Sequence, residues 1–191
     1  MMLTRSMRRC DGEDVLKGLA AGALSGLAAA WVMNQFQSWW SRLSHGTEES
    51  HGAQSLQKGS PRNGRRHTLH EEQEDDATER LASALAENFA GRVLTKGEKK
   101  SAGTAIHYAF GAATGGMYGA AAELMPGVTA AAGVPFGAFV WLAADEGVIP
   151  ALGLSKSPTE YPPSIHAYSL ASHLVYGATA EFARRAIREW L

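Results

Sequence analysis

Five side chains in the second half of the chain have the types and the spacing that could bind a divalent ion or pass protons. Histidine exchanges protons near neutral pH, and histidine nitrogens and carboxylate oxygens are common ligands of divalent metals. If the apolar stretches that carry these residues form neighbouring helices, the five side chains converge toward one end of a bundle. They are His107, Asp145, Glu146, His166 and His173. A metal or proton site at that end is one hypothesis.

A related hypothesis is a proton or ion pathway through the same helices. Its candidate residues are His107, Glu123, His173 and Glu181. An ionised side chain at the centre of a bilayer costs on the order of 3 kcal/mol or more, so such residues usually have partners or a function. The alternative is structural: each histidine hydrogen-bonds a facing carbonyl or hydroxyl group, and Glu123, Asp145 and Glu146 reach water near helix ends.

Glycines spaced four residues apart indicate where these helices must touch. Glycine costs roughly 1 kcal/mol in a water-exposed helix, so repeated glycines in apolar helices favour close backbone contact within lipid. The expected packing positions are Gly18, Gly22, Gly26, Gly111, Gly115, Gly119 and Gly177. We therefore expect a glycine zipper, either within one chain or between the copies of a homo-oligomer.

Four segments approach the length of about 20 apolar residues that a membrane-spanning helix needs. They run over about residues 15–36, 103–125, 128–149 and 164–187. A soluble, alanine-rich bundle is the alternative, but Gly133, Pro135 and Gly137 inside the third segment disfavour it, since neighbouring membrane helices compensate for such breakers. The predicted fold class is all-α: a membrane-embedded bundle of four transmembrane helices plus one amphipathic surface helix in the first loop.

The chain divides into five predicted regions. Residues 1–14 form a cytoplasmic N-terminal segment, and 15–40 form the first transmembrane helix with an interfacial aromatic segment. A disordered polar linker over 41–76 precedes an amphipathic helix and a basic connector over 77–100, and 101–191 form a three-helix membrane region. The amphipathic helix lies on the membrane surface or against the bundle, with an apolar stripe of Leu81, Leu85, Phe89 and Val93.

Basic residues at both ends of the chain predict the orientation. Those before the first span and after the last are Arg5, Arg8, Arg9, Lys17, Arg184, Arg185 and Arg188. Because such residues are enriched on the cytoplasmic side, both termini are expected in the cytoplasm, as four spans require.

Composition excludes several classes of protein. A formal net charge of −1 argues against a nucleic-acid partner, which favours a basic face. The single cysteine, Cys10, excludes an intrachain disulfide bond and a cysteine-based metal cluster. The sequence has no Walker-type phosphate loop, nucleophile elbow or HExxH helix. We therefore expect neither enzymatic activity nor a cofactor.

Two six-residue stretches read alike. The first is HYAFGA, beginning at His107, and the second is HLVYGA, beginning at His173. Each has histidine, two residues, an aromatic residue, glycine and alanine. Parallel repeats about an axis along the membrane normal would explain the match, and chance in a sequence of low diversity is the alternative.

Three stretches resemble the YagU-like family of small bacterial inner-membrane proteins: Lys17-Gly18, the WVMNQF sequence of residues 31–36, and the HYAFGAATGGMY sequence of residues 107–118. The resemblance covers the four spans and not the long polar linker. It implies a bacterial inner-membrane helical protein of uncharacterised biochemical function, with an acid-tolerance role proposed for a relative. The expected partners are the lipid bilayer, a second copy of the chain, and a divalent ion or a proton.

Overall fold

The computed structural model describes residues 12–43 and 75–191 of the chain. In these two ranges the structure is helical and contains no strand, so the expected all-helical fold is confirmed. The five main helices are α1 (Gly12–Leu43), α2 (Ala77–Ala90), α3 (Lys96–Leu124), α4 (Val134–Ala143) and α5 (Pro163–Arg188). Most of the predicted N-terminal segment, with Cys10 and its arginines, and most of the predicted linker lie outside the described residues.

Capping boxes define where α2 and α3 begin. At α2 the Asp76 side chain accepts a hydrogen bond from the Glu79 backbone N–H at 2.8 Å, and Glu79 accepts one from the Asp76 N–H at 3.3 Å. Thr95 and Glu98 form the same reciprocal pair at the start of α3. Gly91 ends α2 in the left-handed conformation, with φ of 61°, which costs glycine little.

The helices pack as an up-and-down bundle. Helix α1 packs along α3 and α5, and α4 packs along α5. Both pairings with α1 are antiparallel. The α4–α5 pair is also antiparallel, because Gly133, just before α4, approaches Gly177, whereas Asp145, just after α4, contacts the earlier residue Ser169. We call the end formed by the start of α1 and the ends of α3 and α5 the terminal end. The opposite end is the distal end.

The segment before α4 departs from the predicted continuous helix over residues 128–149. A 3₁₀ segment, Pro126–Gly133, ends in three residues with positive φ: Ala131 at 49°, Ala132 at 54° and Gly133 at 79°. Helix α4 begins only at Val134, with Pro135 in its first turn, where a missing N–H leaves no hydrogen bond unmade. A π-helical turn, Ala144–Val148, and a short turn, Ile149–Ala151, extend the helix.

Helix α2 docks on α3 through small residues and not through the outer part of its predicted apolar stripe. Ala77 and Ala82 are its buried residues, and the missing side chain of Gly103 leaves room for Glu79 of α2. On the stripe, Phe89 is 85% exposed and Val93 lies beyond the end of the helix. The outer part of the stripe therefore faces away from the bundle.

Two helical segments of the described ranges are long and apolar enough to cross a membrane. They are α1 and the segment Gly127–Ala151, which contains α4; helices α3 and α5 are not among them. Only 39% of the apolar window in α1 and 22% of that in the second segment is buried within the bundle. Because length and composition also admit core helices of soluble proteins, these two candidates suggest membrane association weakly and do not establish four transmembrane helices.

Candidate functional site

A buried carboxylate surrounded by arginines lies at the terminal end of α5. Glu181 is 0% exposed. The Tyr118 hydroxyl donates to its Oε2 at 3.0 Å, and Arg184 Nε donates to the same oxygen at 2.8 Å. Arg184 Nη2, at 3.1 Å, and Arg185 Nε donate to Oε1. Every oxygen of this carboxylate therefore has charged or hydroxyl donors.

The same network extends to the first helix. Arg188 Nε donates to Glu123 Oε1 at 2.9 Å, and its Nη2 donates to Asp14 Oδ1 at 2.8 Å. Arg184 Nη1 lies 4.0 Å from Glu123. We call this network the terminal cluster: Asp14, Tyr118, Glu123, Glu181, Arg184, Arg185 and Arg188. It joins the start of α1 to the ends of α3 and α5.

A second buried carboxylate lies at the distal end, on the π-helical turn. Asp145 is 1% exposed, so the expectation that it reaches water at a helix end is wrong. The Ser169 hydroxyl donates to its Oδ2, and His173 Nδ1 lies 3.8 Å from the same oxygen. That imidazole nitrogen donates to the Ser169 carbonyl oxygen at 2.9 Å. Single π-helical turns occur frequently at functional sites.

His107 of α3 lies near this carboxylate. Hydrogen-bonded pairs between α3 and α5 are 62 to 65 residues apart, as in Thr114–Tyr176 and Tyr118–Glu181, which places His107 level with residues 169–172. Its charge interacts with those of Asp145 and His173, and the Ala30 backbone hydrogen-bonds its ring. We call His107, Asp145, Ser169 and His173 the distal cluster.

Four buried polar atoms among the described residues have no hydrogen-bond partner. They are Gln37 Nε2, His107 Nε2, Trp141 Nε1 and Asp145 Oδ1. Two of these atoms belong to the distal cluster, and Trp141 lies one helical turn before Asp145. Native proteins satisfy most buried polar atoms, so unsatisfied ones mark places that call for a functional explanation.

Glu146 and His166, the other two residues of the predicted metal or proton site, form a separate pair. His166 Nδ1 contacts Glu146 Oε1 at 2.6 Å, and its Nε2 donates to the Pro158 carbonyl oxygen at 3.0 Å. Within residues 12–43 and 75–191, no three His, Cys, Asp or Glu side chains come together in a way that could hold a metal ion. The five residues of the metal hypothesis therefore do not converge on one point in the described part of the chain.

An apolar core separates the two clusters. It is built from Ala29, Ala30, Met33, Val140, Tyr176 and Ala180. Tyr176 and Ala180 lie between His173 and Glu181 on α5, and the Tyr176 hydroxyl donates to the Gly111 carbonyl oxygen at 2.8 Å. The four residues of the hypothetical pathway thus fall into two groups, with packed side chains between them.

Glycines at the helix crossings have no room for a side chain. A Cβ atom on Gly22 would lie 2.9 Å from Gly119 Cα, and one on Gly119 would lie 2.8 Å from Gly22 Cα. At the α4–α5 crossing, a Cβ atom on Gly177 would lie 2.7 Å from Gly137 Cα. Real Cβ atoms essentially never come this close to another backbone.

The chain matches one protein family over residues 79–182, a range that begins in α2 and ends just after Glu181. The description of that family is "Protein of unknown function (DUF1440)". The chain belongs to the DUF1440 family. The matched range includes the whole distal cluster, and the family description gives neither an activity nor the YagU-like name. No curated protein and no solved structure matches the chain.

Three residues that complete these sites are not among the site residues predicted from the sequence: Tyr118, Ser169 and Arg184. Ser169 and Tyr118 lie inside the DUF1440 match, and Arg184 lies two residues beyond it. Ser169 falls three residues after His166 and four before His173, which is the spacing of one helix face, so its position carried a usable signal. Gly133 and Gly137 are also spaced by four, although their sequence suggested helix breakers rather than contacts.

Proposed function

We propose that this DUF1440 protein is an integral membrane protein of the bacterial inner membrane whose role is structural or binding. The observation that carries the proposal is the apolar outer surface of α1 and of the segment 127–151. Leu16, Leu24 and Trp31 are exposed on the first, and Phe139 and Leu142 on the second. Soluble monomers rarely expose large apolar patches, whereas lipid favours apolar surface.

In this proposal α3 and α5 also cross the bilayer, which makes the protein multi-pass with both termini in the cytoplasm. Support comes from the placement of their ionisable residues. Glu181 and His173 are buried in the bundle rather than exposed on its surface, as membrane helices require. Lys17 and the arginines of α5 lie together at the terminal end, which agrees with the enrichment of basic residues on the cytoplasmic side.

The proposed architecture is a glycine zipper. Its support is the close approach of α1 to α3 and of α4 to α5 at their glycines, since backbone contact is a main source of helix association in lipid. The α1 and α3 glycines pack against each other within one chain, so a homo-oligomer would form through other surfaces. We assign the protein no catalytic activity and no cofactor.

A structural role is favoured over a proton or ion pathway because of the core between the two clusters. A continuous pathway needs groups that exchange ions or protons along its length. Met33, Val140 and Ala180 do not, and the Thr114 and Tyr176 hydroxyls at this level hydrogen-bond each other and the Gly111 carbonyl oxygen rather than a carboxylate of either cluster. The resemblance to the YagU-like family extends the proposal to a role in acid or envelope stress.

Carbonate washing of membranes tests the membrane proposal. The full-length chain should stay in the membrane pellet, whereas recovery in the aqueous fraction would contradict the proposal. For topology, Cys10 is replaced by serine and single cysteines are introduced at Lys156 and Glu189. A membrane-impermeant maleimide added outside intact spheroplasts should label the Lys156 position and not the Glu189 position, and the reverse pattern would contradict the orientation.

A further inference from the structure

The two buried carboxylates of the bundle differ in how their charge is balanced. Glu181 accepts hydrogen bonds from two arginines and a tyrosine. Asp145 is equally buried, but among the described residues it accepts one hydrogen bond, from the uncharged Ser169 hydroxyl, and its Oδ1 atom has no donor there. Burying a charged carboxylate without such donors costs desolvation free energy. Binding a proton neutralises the carboxylate and removes most of that free-energy cost.

The groups that face Asp145 can supply or share this proton. His173 faces it from α5 and His107 from α3, while Glu146 is the next residue on the same turn. On α1, Met33 packs with Tyr176, and the Trp40 ring lies 5.9 Å from that of Tyr168. The residue of α1 that lies between these two contacts, level with the site, is the uncharged Gln37. Asp76, before α2, faces His107.

The geometry also fixes where the proton can bind. His173 Nδ1 already donates to the Ser169 carbonyl oxygen, so a further proton on this ring bonds to Nε2. On the carboxyl group the free position is Oδ1, because Oδ2 accepts from Ser169. A hydronium ion delivers one proton to either atom and leaves as water.

We propose that Asp145, Ser169 and His173 form a buried proton-binding site at the distal end of the bundle. Glu146 and His166, the separate and partly exposed pair, lie beside this site on the same π-helical turn and on α5. Between the site and Glu181 lies the packed core, whose Tyr176 hydroxyl hydrogen-bonds Thr114 and the Gly111 carbonyl oxygen and reaches neither carboxylate. The site therefore binds a proton from the distal side without conducting it across the bundle. Its protonation alters the hydrogen bonds between α4 and α5, because Asp145 extends α4 while Ser169 and His173 belong to α5.

Infrared spectroscopy of the full-length protein in liposomes tests the site, because a protonated carboxyl group has a C=O stretching band that a carboxylate lacks. In a pH titration, the wild-type protein should show a buried carboxyl band that Asp145→Asn removes. The His173→Gln variant should shift the titration midpoint of that band. The control Glu160→Gln changes an exposed residue in the connection between α4 and α5, at residues 152–161. It should leave both the band and the midpoint unchanged.

Ser169→Ala keeps the Asp145 carboxyl group and removes its hydrogen-bond donor, so it should shift the frequency of the band. This variant tests the proposed site even if Asp145→Asn fails to fold. A band that is unchanged in Ser169→Ala, or that persists in Asp145→Asn, would overturn the proposal. Liposomes loaded with a pH-sensitive dye should show no proton flux above that of empty liposomes. Flux that Asp145→Asn abolishes would overturn the closed site in favour of conduction.

Discussion

The Cα atom of Gly26 lies 2.7 Å from the position that a Cβ atom on Gly115 would occupy. Helices α1 and α3 can therefore touch along their backbones only while both positions carry hydrogen in place of a side chain. We expect Gly115→Ala to lower the free energy of unfolding by about 1–3 kcal/mol, the usual cost of overpacking. Unfolding of the detergent-solubilised protein, followed by circular dichroism, measures this change.

The neighbouring residue provides a matched control. A Cβ atom on Gly116 would lie 3.5 Å from the Leu19 carbonyl oxygen and 3.6 Å from Ala23 Cβ, which are ordinary van der Waals distances. Gly116→Ala should be neutral or should stabilise the protein by up to about 1 kcal/mol through its higher helix propensity. Equal effects of the two substitutions would mean that the close approach of α1 and α3 does not limit stability.

Removing the buried carboxylate of the terminal cluster should have a large effect. Glu181→Gln leaves the buried Arg184 guanidinium without its main counter-charge, a change that typically costs about 3–5 kcal/mol. Thermal unfolding in detergent should therefore shift strongly for this variant. Glu189→Gln, an exposed substitution at the end of α5, should change stability by less than about 0.5 kcal/mol. Similar stability of the two variants would contradict the structural role of the cluster.

The cap of α3 should depend on pH. The Thr95 backbone N–H, the Arg92 side chain and the Thr95 hydroxyl hydrogen-bond the Glu98 carboxylate, and together they lower its pKa from 4.5 to about 2. Because the pKa is lower in the folded state, this contribution to stability is complete above about pH 4.5 and is lost as the pH falls toward 2. NMR titration of the Glu98 carboxyl carbon should give a midpoint near 2. In Thr95→Ala the midpoint should move toward 4.5, and a wild-type midpoint already at 4.5 would contradict the capping geometry.

His166, at the start of α5, should hold in place the turn of residues 152–161, which we call the distal turn. His166 contacts both Glu146 and the Pro158 carbonyl oxygen, while its ring packs edge-on against Tyr161. His166→Phe keeps an aromatic ring and removes both polar contacts, so amide hydrogen exchange in residues 152–161 should accelerate. Exchange in α2, whose main contact is α3, should stay the same. Unchanged exchange in the distal turn would show that these contacts do not order it.

Hydropathy and glycine spacing predicted the existence of the main helices because both are local properties of the chain. The spacing of Gly111 and Gly115 marks one face of α3, but only the folded bundle shows which helix meets that face. Helix α2 illustrates the opposite case. Its predicted stripe included Phe89, yet it docks through Ala77 and Ala82, whose small side chains give little periodic signal.

The distal cluster was only partly predictable, for a physical reason. The sequence placed Asp145 near a helix end, where water is expected, but the π-helical turn adds a residue to one turn of helix and the bundle buries the side chain. The Asp145 and Glu146 pairs are separate because neighbouring side chains on one turn point in different directions, and each carboxylate meets a different residue of α5. Periodicity analysis assumes a constant number of residues per turn and misses such a change.

Helix α1 has 32 residues, which at about 1.5 Å per residue gives a rod of roughly 48 Å. The hydrocarbon core of a bilayer is only about 30 Å thick. In a membrane this helix must tilt, project into the headgroup layers, or do both. Helices α3 and α5 must tilt with it because they pack along its length. The exposed rings of Trp39 and the apolar side chain of Leu43 would then meet lipid headgroups on the distal side, where local bilayer thickness would set the angle of the whole bundle.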